Sequence, residues 1–267
     1  MMKSIHNTLM ALSGIVLTAF LASCAESYNI KGTSNMSTLD GRMLYLKVLK
    51  NNDFSNVDSC DVVHGEFQFA GNIDTVRMAN IFMDNESVLP LILESGDINV
   101  KIDNTQQLVS GTPLNDKLYK FLNKYNQLES QKAELVHRHD RAIMDGLDEE
   151  KVNIKLQAEA AVIEQKEDKL LTTFVCDNFD NILGPGVFFM RTINYEYPML
   201  DPWIEDIMSK ATDTFKNNPY VKDYYEKAQE NQSIMNGTKD PQQPAPPVQP
   251  APDGPTPNEM AQPQSAQ

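Results

Sequence analysis

The sequence predicts an α+β protein: a small antiparallel β-sandwich or partly closed barrel, followed by a helical domain with a long helical hairpin. Three observations carry this. Between Tyr28 and Asp103 hydropathy alternates with period two and is cut by turn dipeptides. From Thr112 apolar residues recur every three or four positions. Beyond Thr238 the composition changes again, with nine of the 15 prolines falling there. The expected division is therefore residues 1–23 as a leader, 24–27 as a linker, 28–108 as a β-domain, 109–238 as a helical domain and 239–267 as a disordered Pro/Gln-rich tail.

The leader has Lys3 as its positive region and Leu9 to Ala22 as an apolar stretch too short for a comfortable bilayer span. It stops at Leu21-Ala22-Ser23-Cys24, small residues before a cysteine whose thiol is the nucleophile needed to take up a diacylglycerol group. This resembles the bacterial lipoprotein box, which implies cleavage before Cys24 and lipidation on it. Several acyl chains hold a protein at a membrane stably, since each buried methylene contributes about 0.8 kcal/mol.

Seven short strands are expected. Leu44, Leu46 and Val48 alternate with Tyr45 and Lys47; Phe67 and Phe69 follow the His64-Gly65 turn; Ile98, Val100 and Ile102 follow Ser95-Gly96-Asp97. Asn29 to Gly32, Val57 to Val63, Arg77 to Met83 and Leu89 to Glu94 complete the set. Thr112 then offers a capping hydroxyl before Pro113, and Leu114, Leu118, Phe121, Leu122, Tyr125 and Leu128 form the stripe of a helix running to about Met144. A second helix from about Asp148 carries Val152, Leu156, Ala160, Ile163, Leu170 and Phe174 on one face. Gly184-Pro185-Gly186 reads as a turn, followed by helices over Val187 to Ile193, Asp201 to Lys216 and, capped by Asn218, Pro219 to Met235. The tail is too poor in apolar residues to offset its ordering entropy and reads as a polyproline-II-biased spacer.

With 37 acidic against 23 basic side chains, the chain has a formal charge of −14 and no basic stripe, which excludes nucleic acid as a partner. No cofactor or metal signature is present. Glu134-x-x-His137 occurs once, whereas a di-metal bundle needs a second copy and two more glutamates; His137 and His139 diverge on a helix, and His64 is a turn residue. Gly-x-Ser-x-Gly, phosphate-loop and His-Glu-x-x-His patterns are absent. Glu164, Glu167 and Asp168 interleave with Lys166 and Lys169, the composition of a wet helix face. Cys60 and Cys176 fall in different domains, each without a second sulfur nearby, and read as two separate thiols. No catalytic residue is assigned. For binding, Tyr195, Tyr197 and Trp203 stand out as candidate ligand or partner contacts, with packing of the helical half onto the strands as the competing reading.

The lipoprotein box, then Gly65 to Gly71 (GEFQFAG), Pro90 to Asp97 (PLILESGD) and Val109 to Asp116 (VSGTPLND), resemble the Bacteroidetes domain-of-unknown-function family 4369. Asn178 to Gly184 and Phe215 to Pro219 resemble the helical region that follows this domain, so the likeness spans roughly residues 28 to 230. In many relatives a thioredoxin-like domain with a Cys-x-x-Cys site comes next; here the proline-rich tail takes that place and no Cys-x-x-Cys exists. The resemblance implies fold and envelope location, not thiol chemistry. The expectation is a lipid-anchored envelope protein, held at the outer membrane facing the periplasm and serving as a non-catalytic interaction or scaffold module for an envelope protein partner. A thiol-redox accessory or other envelope enzyme, with a site assembled only by the fold, is the alternative, and a glycan- or solute-binding lipoprotein a weaker one.

Overall fold

The computed structural model describes residues 26–50, 53–104 and 106–238. The leader, Cys24, Ala25 and the tail from residue 239 lie outside the described residues, while Glu26 and Ser27 of the expected linker already belong to the first strand.

Eight strands form two four-stranded sheets: β1 (Glu26–Ser34), β2 (Met43–Lys50), β3 (Asp53–Asp61), β4 (Glu66–Ile73), β5 (Arg77–Met83), β6 (Glu86–Leu93), β7 (Gly96–Ile102) and β8 (Gln107–Ser110). One sheet has the order β4-β1-β7-β8 and the other β3-β2-β5-β6. The alternation read from the sequence is obeyed: Leu44, Leu46, Val48, Phe67, Phe69, Ile98, Val100 and Ile102 are all buried, with more exposed residues between them. Between β3 and β4, where the chain passes from one sheet to the other, His64 and Gly65 both have positive φ, 55° and 76°, and form a tight turn closed by the isolated Val63–Glu66 bridge. Gly65 is also pressed against Ser34, whose carbonyl oxygen would lie 2.3 Å from a Cβ at that position.

Two features depart from the expectation. The eighth strand, β8, carries the β-region to Ser110, past the expected boundary at residue 108. The β1–β7 pair is parallel, Ile30 lying opposite Ile98, while every other pair is antiparallel. Parallel partners need a long crossover. Here strands of the opposite sheet supply it, β2 and β3 intervening before the chain returns as β4, and β5 and β6 before it returns as β7.

Six helices follow among the described residues: α1 (Pro113–Met144), α2 (Glu149–Cys176), α3 (Leu183–Thr192), α4 (Pro202–Lys210), α5 (Asp213–Lys216) and α6 (Pro219–Met235). Asp148 caps α2 through Lys151 N, and Asn218 caps α6 through Tyr220 N and Val221 N. The expected turn at residues 184–186 is instead the first turn of α3, where Pro185 needs no N–H partner. Gly184 is there for close approach, since a Cβ would stand 2.4 Å from Asn178 O. The helix expected over Asp201 to Lys216 is split at Ala211, which is extended at ψ 138°, and Thr212 starts a new cap on Phe215 N. One hydrophobic cluster runs from Ile30 and Leu46 in the sheets through Leu118 and Phe121 of α1 to Leu171, Phe188 and Phe215, so strands and helices share a single core.

Candidate functional site

The sheets and helices are joined by a buried polar lock. Asn115, in the first turn of α1, is fully buried and pairs with the backbone of β6 as a strand would: its Oδ1 accepts from Ile92 N at 2.8 Å, and its Nδ2 donates to Ile92 O at 2.7 Å. The Glu94 carboxylate, also buried, accepts from the N–H groups of Leu114 and Asn115 at 3.0 and 3.1 Å and so caps the helix. The sequence assigns that cap to Thr112. In the structure the Thr112 hydroxyl bonds the Asn115 side chain at 2.8 Å instead, leaving the free backbone donors to the stronger, charged acceptor. Tyr119 OH donates to Pro90 O at 2.9 Å one turn further on. These contacts are structural, holding α1 onto β6.

Of the aromatic residues singled out for binding, Trp203 is buried: its Nε1 donates to Thr172 Oγ1 at 3.0 Å and its ring stacks on Phe188 with 5.8 Å between centroids. Tyr195 is half-buried and donates to Asp201 Oδ2 at 2.7 Å; burial and that bond push its hydroxyl pKa well up. Tyr197 is exposed. The Arg191 guanidinium lies about 6 Å from the Tyr195 and Trp203 ring centroids, at 5.9 and 6.0 Å.

Arg191 leads to an ionic cluster among three helices. Glu167 of α2 is buried, contrary to its assignment to a wet face, because it takes an inner position four residues after Ile163 and four before Leu171. Lys132 of α1 donates to it at 2.6 Å and Arg191 stands 3.9 Å away; Lys132 also pairs with Glu129. Burial pushes the nearby Tyr125 hydroxyl pKa up, and the Glu167 and Glu129 charges add to this. The i±4 spacing carried the signal for Glu167, but its flanking charges outweighed it. Each carboxylate here faces a cation, an arrangement that holds three helices in register.

Cys60 and Cys176 are free thiols. Burial, with the charges of Asp58 and Asp61 behind it, pushes Cys60 up to about 11, and burial raises Cys176 as well, so both stay protonated and weakly nucleophilic at neutral pH. His64 sits in its turn, and Glu134 and His137 are exposed on α1. Among the described residues no group of three or more His, Cys, Asp or Glu is placed to hold a metal ion, and no helix is long and apolar enough to cross a membrane.

The far half of the α1–α2 hairpin is little covered by the rest of the described residues. At 1.5 Å per residue α1 is about 48 Å long. Beyond Leu122, however, only Leu135 of α1 is buried, and α2 buries nothing before Ile163. Arg138 and Glu159 bridge the two helices there at 2.6 Å. At the tip Ile143, Met144 and Leu147 are exposed, Met144 by 87%.

Comparison with known families matches residues 28–118 to a domain of unknown function (DUF4369). The matched unit holds all eight strands and ends at Leu118, just after the first turn of α1, so it includes both sides of the Glu94–Asn115 lock. The stretches at 178–184 and 215–219 lie outside it. No curated protein matches the chain.

Proposed function

We propose that this chain, whose residues 28–118 belong to the DUF4369 family, is a lipid-anchored cell-envelope protein that acts as a non-catalytic interaction module for an envelope protein partner. The observation that carries the reading is the hairpin: a long arm rooted in the shared core that ends in uncovered apolar side chains, Ile143, Met144 and Leu147, beside the acidic run Asp148, Glu149 and Glu150. Apolar centres with charged rims are what protein contacts use. The lipoprotein box supports the anchoring part. Cys24 stands two residues before Glu26, where β1 begins, so a lipid on it would tether the body through Ala25 alone. The outer membrane, facing the periplasm, is the proposed location.

Two measurements test this. Cys24→Ala should move the protein out of the membrane fraction and abolish fatty-acid labelling; full membrane retention would overturn the anchoring. A photocrosslinker at residue 144 should capture a defined protein in intact cells, while the same probe at an exposed position on the body, such as Lys31, should not. No reproducible adduct at residue 144 would overturn the interaction reading.

A further inference from the structure

A second surface differs from the arm in kind. Between the β7–β8 turn and the inner half of α1 lies a cleft of about 480 Å³, within the range of roughly 300–1,000 Å³ usual for small-molecule sites. Five carboxamides from separate segments converge on it: Asn104 and Gln106 from the turn, Gln107 from β8, and Asn123 and Asn126 from α1. None of these side chains is hydrogen-bonded to another described residue. The inner wall is apolar, made by Tyr119, Leu122 and Met190. Asp103 is the one charged lining residue among the described ones; its carboxylate accepts from Gln106 N at 2.6 Å and lies 3.3 Å from Lys101.

We infer that this cleft binds a neutral oligosaccharide. A carboxamide offers two donors and an acceptor in one plane, the combination that vicinal sugar hydroxyls, each both donor and acceptor, can satisfy. The apolar wall suits the C–H face of a pyranose ring. Among the described residues no cation lines the cleft, and nearby Lys101 is paired with Asp103, so a phosphate, sulfate or uronate would be desolvated without a free counter-charge. Because no ion pair is formed, affinity should be insensitive to ionic strength. None of Ile143, Met144 and Leu147 lines the cleft, so the inference stands independently of the arm and its partner.

The test applies the full chain, solubilised in detergent, to an array of neutral, uronate-bearing and sulfated oligosaccharides, with pentaglycine as a peptide control, followed by calorimetry on the best binder. Expected are neutral hits whose Kd changes less than about twofold between 50 and 500 mM salt, and a loss of about tenfold or more for Asn123→Ala combined with Asn126→Ala. Gln106→Ala combined with Gln107→Ala, on the opposite wall, should weaken binding in the same way and guards against a folding defect in the α1 variant. No neutral hit, unchanged affinity in both variants, preference for the anionic glycans, or binding of pentaglycine in place of sugars would each overturn the assignment.

Discussion

The root and the tip of the α1–α2 hairpin are parts of the same two helices, yet they are held by different forces. At the root Asn115, Leu118, Phe121 and Leu122 are buried in the core that strands and helices share, and every polar group of the Asn115 side chain is matched. Toward the tip the helices touch mainly each other and are bridged by Arg138–Glu159, an ion pair open to water, while Ile143, Met144 and Leu147 meet solvent. A buried hydrogen-bonded lock specifies one geometry, because any other leaves polar groups without water or partner. A solvated ion pair specifies little and is weakened by salt. The root is therefore architecture, whereas the tip keeps apolar surface that its own fold does not use.

Substitutions can widen or erase that contrast. The largest effect should come from Asn115→Ala, which strands the N–H and C=O of Ile92 in the core; a loss of about 3 kcal/mol in denaturant unfolding is expected, and a loss below about 1 kcal/mol would deny the lock its role. Next comes the body's half-buried thiol. With Cys176→Ser as background, Cys60 should react with iodoacetamide at pH 8 some ten- to hundredfold more slowly in the native protein than in the unfolded chain. The rate should rise about tenfold per pH unit toward about 11; a native rate equal to the unfolded one would contradict that protection.

Smaller effects are expected nearer the arm. Glu167→Ala leaves Lys132 and Arg191 facing each other without their shared carboxylate, but both reach solvent, so a loss of about 1–2 kcal/mol is expected in place of the larger cost of a fully buried pair. At the arm itself, Arg138 holds the Glu159 carboxyl below its usual range. The folded-state pKa is thus the lower one, so the pair's support is present at neutral pH and is lost as pH falls through that value. Glu159→Gln should flatten this acid response in helical circular dichroism, and an unchanged profile would sink the assignment. The smallest stability effect belongs to the tip: Ile143→Ser and Leu147→Ser together should change unfolding free energy by less than about 0.5 kcal/mol while abolishing the crosslink from the probe at residue 144. A large destabilisation would mean that these side chains pack after all.

Much of the architecture was legible from residue order. Period two placed seven of the eight strands, and period 3.6 with Asp148, Asn218 and the proline starts bounded α1, α2 and α6 closely, because pleat, helical pitch and cap chemistry act over a few residues. β8 was missed, being four residues long and without alternation to betray it. Gly184-Pro185-Gly186 reads as a turn by local preference, yet the packing of Gly184 on Asn178 makes it a helix start. The site residues divide in the same way. Aromatic character marked Trp203 and Tyr195, but only packing decided that Trp203 faces the core and Tyr197 the solvent. The five carboxamides of the cleft left no sequence signal, since they lie up to 22 positions apart and share nothing but a type.

What the sequence by itself determined is therefore local: the class of fold, the order of its elements, the caps of α2 and α6, and an acidic surface. Tertiary structure alone decided which strands pair in parallel, that Glu94 and not Thr112 caps α1, that Glu167 goes inside, and that the hairpin's outer apolar residues stay outside. The reason is physical: periodicity and capping are read within one or two turns of chain, whereas burial of a charge or exposure of a methionine depends on what arrives from elsewhere. Lys132 and Arg191 reach Glu167 from two other helices, and no element among the described residues covers Met144.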